Sequence, residues 1–266
     1  GRGARELGLE GLVHEGELGR LIRGHHPLSN EELRAHRRSR RITIERIDPF
    51  TNERFIDVKK LAPVAGFDLV FSVPKSISLL HALGDEETRQ AVNEAHTSAW
   101  QAALAYLEDE ACVIRRGAQG RRREHAVGFV AAAYQHRTSR AQDPHLHTHV
   151  IVANMAKSRV KDEWRKLDGE PILRTYRLAA GYLYQAHLRA ELTRALGVEW
   201  EQPRKGMAEL RHVPRGVIRE FSTRRAQIVE QLARQGGGGF YAAQVAAVET
   251  RERKEHVDLV TLREDW

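Results

Sequence analysis

Apolar and polar positions change rhythm along the chain, and each rhythm predicts a different element. Between Glu6 and Ile22, Leu7, Leu9, Leu12, Val13, Leu18, Leu21 and Ile22 recur at loose helical spacing and predict short helical pieces. From Arg41 to Leu61, β-branched residues flank the segment Asp48-Pro49-Phe50-Thr51-Asn52 on both sides. This pattern predicts a hairpin whose exposed face is rich in Arg and Lys. Phe67 to Val73 is a compact apolar run stopped by Pro74, which predicts a mostly buried strand holding a single carboxylate, Asp68.

Farther on, Asp85 is placed to cap a helix running to about Glu110, with Val92, Ala95, Ala99, Ala103 and Leu107 on one stripe. Arg115 to Arg123, with its five arginines and two glycines, reads as a basic loop. Ala126 to His136 and His145 to Asn154 then read as strands joined through the polar turn Arg137 to Pro144, an antiparallel hairpin. Lys157 to Lys166 adds a short strand or turn. Leu173 to Leu196, closed by Gly197, is the longest helical pattern, Val198 to His212 reads as another hairpin, and Pro214 opens a helix to about Arg234. Gly236 to Gly239 reads as a flexible joint and Tyr241 to Trp266 as a charged helical segment. Strands clustered in the middle with helices on both sides predict an α+β fold, a central antiparallel sheet flanked by helices. The expected division is 1–235 for that domain and 236–266 for the joint and tail.

Composition narrows the partner. In 266 residues, 43 Lys and Arg stand against 36 Asp and Glu, a net charge of +7 with a pI near 9.7, which favours an acidic partner, nucleic acid first. A hydrophobic fraction of 41% supports a sizeable core, while a mean hydropathy of −0.54 describes a heavily charged surface. No run approaches the roughly 20 apolar residues of a membrane-spanning helix. The single cysteine, Cys112, cannot close an internal disulfide, which fits the reducing cytoplasm. The sequence opens on Gly1 with its methionines at 155 and 207, and so reads as processed or as a piece of something longer.

The chemistry concentrates between His136 and His149. Side chains alternate along a strand, so His147 and His149 share a face, and a turn near Gln142 brings His136 opposite them. Three neutral imidazoles converging on one point form a metal site with open positions for a scissile oxygen. A lone His-x-His among 14 histidines carries little weight, and the third His on a hairpin partner is what makes the pattern specific. His145 has the same parity but sits beside Pro144 and reads as a solvent-facing rim residue. Asp68 is expensive in an apolar strand unless it meets a cation or histidine, so it reads as a carboxylate orienting a ligand or acting as base. The alternative is a strand-edge Asp facing water. Lys75, Arg137 and Arg140 fall close enough to bind a phosphate at the metal, and Arg121 to Arg123 and the Arg41 to Lys60 hairpin could track more distant ones.

The segment Gly66-Phe67-Asp68-Leu69-Val70-Phe71-Ser72-Val73-Pro74-Lys75-Ser76-Ile77-Ser78, the His136 to His149 motif ending Leu146-His147-Thr148-His149, and Arg215 to Ile228 resemble TrwC/TraI-type conjugative relaxases across nearly the whole chain. The resemblance implies an HUH endonuclease that nicks one strand of plasmid DNA at an origin of transfer, a tyrosine hydroxyl attacking the phosphodiester to leave a 5′-phosphotyrosine link. It implies metal ligands at His136, His147 and His149, an active-site carboxylate at Asp68, and single-stranded or hairpin DNA as partner. The sequence does not fix the ion; Mg or Mn is expected, with Zn, Ni or Co as alternatives.

In that family the nucleophilic tyrosines lie upstream of a Gly-x-Gly-Ala-x-x-Leu-Gly-Leu segment, which here is Gly1 to Leu9. The nucleophile is therefore expected to be missing: Tyr106 falls in a scaffold helix, and Tyr134 shares the strand face of His136 as a packing residue. These residues alone are expected to bind metal and DNA and to cleave poorly or not at all. Such relaxases often continue into a helicase domain, and no Gly-x-x-x-x-Gly-Lys-Ser/Thr loop occurs here. Two rival readings are a non-catalytic DNA-binding module that keeps the metal, and a metal-dependent phosphodiesterase that uses water as nucleophile.

Overall fold

The computed structural model describes residues 1–34, 40–47, 53–117, 120–234, 240–250 and 257–266. From the N-terminus the chain forms α1 (Arg2–Arg5), α2 (Glu15–Ile22), β1 (Arg40–Ile47), β2 (Arg54–Leu61), β3 (Gly66–Ser72), α3 (Lys75–Leu83), α4 (Glu86–Ala111), β4 (Val113–Arg116) and β5 (Arg122–His125). Strands β6 (Ala131–Thr138) and β7 (Pro144–Ala153) follow, then the short pair β8 (Ala156–Lys157) and β9 (Trp164–Arg165). A π-helical turn (Pro171–Thr175) leads into α5 (Arg177–Leu196), α6 (Arg215–Glu220), α7 (Thr223–Arg234), α8 (Phe240–Glu249) and α9 (Leu259–Asp265). The central sheet runs in the order β3-β7-β6. Val73 N–H bonds the Leu146 carbonyl at 3.2 Å, and Asn154 N–H bonds the Ala65 carbonyl at 3.0 Å, the crossed ends of an antiparallel pair. The expected α+β class, an antiparallel sheet with helices, is the one observed.

The chain divides into two compact units, Gly1–Leu69 with Leu107–Ala132 and Val150–Tyr176, and Val70–Tyr106 with Ala133–His149 and Arg177–Trp266. In the first, Leu7, Leu21, Val130, Ala153 and Met155 form a core against which Leu9, Leu33 and Trp164 pack. Glu108 is buried, and its carboxylate is satisfied by the backbone N–H groups of Arg2 and Phe129, each at 2.7 Å, and by Arg2 Nε at 2.9 Å. The hairpin β1–β2 pairs Arg40 with Leu61 through Ile47 with Arg54, as its sequence predicts. Its turn residues, and most of the Arg and Lys side chains expected on its face, lie outside the described positions.

The stretch from Arg115 to Arg123, expected as a loop, begins and ends in strand. β4 and β5 pair antiparallel, Val113 with His125 through Arg116 with Arg122. The reason lies in Asp168, 4% exposed, whose Oδ2 stands 2.9 Å from Nε of Arg115 and 2.9 Å from Nε of Arg123. Burial pushes this carboxyl up, but the hydrogen bonds from Arg115 and the Glu170 N–H outweigh it and hold it below the ordinary range. A carboxylate in that setting needs cations, and the hairpin supplies them. Arg123 is thus committed to Asp168 and Glu170 rather than to distant phosphates.

In the second unit Asp85 Oδ1 accepts the Thr88 N–H at 2.9 Å and starts α4, as predicted. At 26 residues α4 is longer than α5, which has 20. Ala180, Tyr184, Leu188 and Leu192 make a buried i, i+4 stripe on α5. Helix α3 is absent from the sequence reading. Six of its nine residues are buried, so it has no polar face to reveal a helical period. The helix expected from Pro214 to Arg234 is broken in two at Phe221 and Ser222. Arg224 then ties α7 to the end of α8, its Nη1 donating to the Thr250 carbonyl at 2.7 Å. The tetraglycine joint lies outside the described residues.

Candidate metal centre

Period-two alternation places the imidazoles. Along β7, Leu146 and Thr148 are 0% and 2% exposed and turn into the core, so His145, His147 and His149 turn together to the opposite face. β6 supplies His136. The ring centroids of His136, His147 and His149 are 5.2 Å apart for each of the three pairs, a near-equilateral triangle. One nitrogen of each lies within 4.8 Å of the others, and this is the only such cluster among the described residues.

The donor chemistry fits a divalent ion. His147 Nδ1 is 2.8 Å from the carbonyl oxygen of His145. A carbonyl only accepts, so Nδ1 carries the proton and Nε2 keeps its lone pair for a metal, the arrangement by which an outer group fixes a ligand's tautomer. His145 is not the solvent-facing rim residue expected. Its ring stacks on His147 at 4.5 Å and 30°, and burial, followed by the nearby His147 and Lys75, lowers its pKa to about 4, so it is neutral at pH 7. The three ligand candidates themselves are part-open or at the edge of burial.

The start of β7 is pinned from α3. Lys75 Nζ donates to the Pro144 carbonyl at 2.7 Å, and the Leu146 N–H donates to Ser78 Oγ at 3.1 Å. Burial lowers the Lys75 pKa, opposed by the charges of Asp143 and Glu209. The turn between the histidine strands is held by Asp143, which accepts from Thr223 Oγ1 at 3.0 Å, and by Trp266, whose indole N–H donates to the Gln142 carbonyl at 3.1 Å.

Of the other residues singled out from sequence, Arg137 and Arg140 line a cavity of about 340 Å³ together with His136, Gln142, Leu259 and Leu262. Asp68 is exposed, which bears out the strand-edge alternative rather than the buried acid, because β3 is covered on one side only: Phe67 and Phe71 are buried while Asp68 and Val70 alternate to the open side. Asp68 belongs to the first unit and the triad to the second. What sequence reasoning missed is the support behind the triad. Thr148 Oγ1 lies 2.7 Å from His96 Nε2, and His96 Nδ1 lies 2.9 Å from the Tyr184 hydroxyl. The one local hint was the Thr between two ligand positions.

Comparison with known proteins gives a consistent answer. The family model of the TrwC relaxase matches residues 1–266. The multifunctional conjugation protein TraI of Escherichia coli is 33% identical over 276 residues, covering all of this chain and 14% of its own length, and TraI of strain K12 is 32% identical with the same coverage. The chain thus spans about one seventh of the curated relatives it matches. Among solved structures, a conjugative relaxase TrwC in complex with oriT DNA in a copper-bound form aligns with TM-score 0.79 and 32% identity, over 100% of this chain and 83% of that one. A metal-free complex aligns with TM-score 0.80 and 32% identity, over 100% and 86%.

Proposed function

The chain belongs to the TrwC relaxase family, and on that premise we propose that it is the metal-binding and DNA-handling part of an enzyme that nicks and transfers one strand of plasmid DNA at an origin of transfer. The observation that carries this reading is the triangle of imidazoles on β6 and β7, with the His147 tautomer set for coordination. His136, His147 and His149 hold a divalent cation, which when bound polarises the scissile phosphodiester and offsets charge developing on it. Mg or Mn is the working ion in this proposal, although three imidazoles also suit Zn, Ni, Co or Cu, and one relative is described as copper-bound.

Each residue then has a task. Arg140, with Arg137 beside it in the cavity wall next to His136, neutralises phosphates of a single-stranded or hairpin substrate. Lys75 contributes mainly by holding the Pro144 carbonyl, so its assigned role shifts from phosphate contact toward fixing the start of β7. Asp68, by motif match, is the carboxylate that takes a proton from the attacking hydroxyl. Tyr184 is 2% exposed and Tyr134 is assigned to packing on β6, so in this proposal neither supplies the nucleophile, and the expected behaviour of these 266 residues is metal and DNA binding without a covalent link.

No described helix is long and apolar enough to cross a membrane. We place the protein in the cytoplasm, supported by Cys112, whose thiol burial raises to about 12, leaving it inert as a redox or disulfide partner. The relatives' length supports a larger polypeptide, and in this proposal that polypeptide carries the helicase domain expected from the family resemblance.

The test is direct. Titrating the chain with Mn²⁺ and an oligonucleotide bearing an origin hairpin should give metal binding that His147→Ala reduces at least 100-fold, and DNA binding without a protein–DNA adduct on denaturing gels. Unchanged metal affinity in His147→Ala removes the metal assignment. An adduct that requires Tyr134 reassigns the nucleophile.

A further inference from the structure

Thr148 stands between two ligand positions and faces the other way. Its hydroxyl is sealed under helices, where an unsatisfied polar group costs roughly 1–3 kcal/mol, and its partner is His96 Nε2 at 2.7 Å. His96 is itself 0% exposed and reaches Tyr184 through its other nitrogen, with the two rings edge to face at 5.8 Å and 82°. Tyr184 in turn rests on Phe71 at 5.4 Å. Three elements, β7, α4 and α5, thus meet in one hydrogen-bonded line directly behind the imidazole face.

A neutral imidazole has one N–H, so His96 donates on one side and accepts on the other. The line therefore has a definite polarity from Tyr184 to Thr148 or the reverse, and it fixes the ring plane of His96 and the rotamer of Thr148 together. Thr148 shares its backbone with both neighbours. A tilt of that residue moves the Cα atoms of His147 and His149 at once, whereas metal–nitrogen distances tolerate only about 0.2 Å. A leucine at position 96 would fill the space but leave the hydroxyl unmet.

We propose that His96 is a positioning residue for the metal centre: through Thr148 it sets the tilt of the His147-Thr148-His149 tripeptide and hence the separation of two of the three imidazoles. This rests on the metal reading above. His96 touches neither substrate nor ion and acts only through the strand.

The experiment uses the 266-residue chain and Cu²⁺ alone as probe, with affinity from competition titration and geometry from the electron paramagnetic resonance spectrum. Thr148→Val and His96→Leu should weaken Cu²⁺ binding by about 10–100-fold, the range seen when outer groups of a metal site are removed, and shift the copper hyperfine splitting. His96→Gln, which can still donate an N–H to Thr148, should recover most of both. Tyr184→Phe should give a smaller loss in the same direction. If His96→Leu does not fold, Thr148→Val and Tyr184→Phe carry the test. A folded Thr148→Val with wild-type affinity and an unchanged spectrum overturns the proposal. A wild-type chain that binds no Cu²⁺ overturns the metal reading instead, so the two failures are distinguishable.

Discussion

Asp143, buried in the turn between the two histidine-bearing strands, accepts the hydroxyl hydrogen bond of Thr223 at 3.0 Å, with the Arg224 N–H close by at 3.4 Å. It therefore caps α7 from outside the helix. The break between α6 and α7 is what gives α7 an N-terminus for Asp143 to cap. Asp143→Ala should destabilise the chain by about 1–2 kcal/mol, the usual cost of a lost helix cap, and loosen the turn beside His145. Chemical denaturation checks the first effect. Asp143→Asn, which keeps an acceptor, should retain most of the stability, and equal losses in the two variants would contradict the capping role.

Two buried histidines contribute to the acid limit of the fold. Burial lowers both His81 and His96 to about 4, reinforced at His81 by Arg137 and at His96 by His147. In the unfolded chain both return to about 6.5, so between those values the unfolded state binds more protons and stability rises with pH. Their contribution is complete above pH 6.5 and is lost as pH falls towards 4, on the order of 3 kcal/mol for each. Thermal melts should fall over that interval. His81→Phe should flatten part of the slope, and an unaltered slope would mean His81 is protonated in the fold.

Arg140 separates phosphate contact from base recognition. Arg140→Ala should weaken binding to unrelated single-stranded sequences about equally and lower the slope of log affinity against log salt by about 0.7, one counterion released per contact. Fluorescence anisotropy across a salt series measures this. A loss confined to one sequence would place Arg140 at a base edge.

Asp68→Asn is isosteric, and its side chain is exposed, so the fold should hold. In an enzyme that cleaves, nicking should drop by about 10²–10⁴-fold, as when a general base is removed, while metal affinity stays within twofold. A parallel loss of metal would make the residue a ligand.

How much of this could be read from sequence follows from the range of each interaction. The triad was legible because its signal is local: parity along β7 and a tight turn back to β6 bring His136, His147 and His149 together without help from elsewhere. Asp85 as a cap was legible for the same reason. Helix α3 was not, since a helix buried on nearly every side shows no period, and only Pro74 and Gly84 mark its ends. The strands at the two ends of the arginine-rich stretch were missed because their counter-charge, Asp168, lies 45 residues beyond Arg123. Asp68 was left open between a buried and a water-facing place because an apolar run does not say whether a strand is covered on one face or two. His96 and Thr148, 52 positions apart, meet only when α4 packs on the sheet.

Between His145 and His149, β7 alternates residues of two trades, imidazoles on odd numbers and packing groups on even ones. Adding or deleting a single residue there would exchange them, sending Leu146 and Thr148 into water and imidazoles into the hydrocarbon interior.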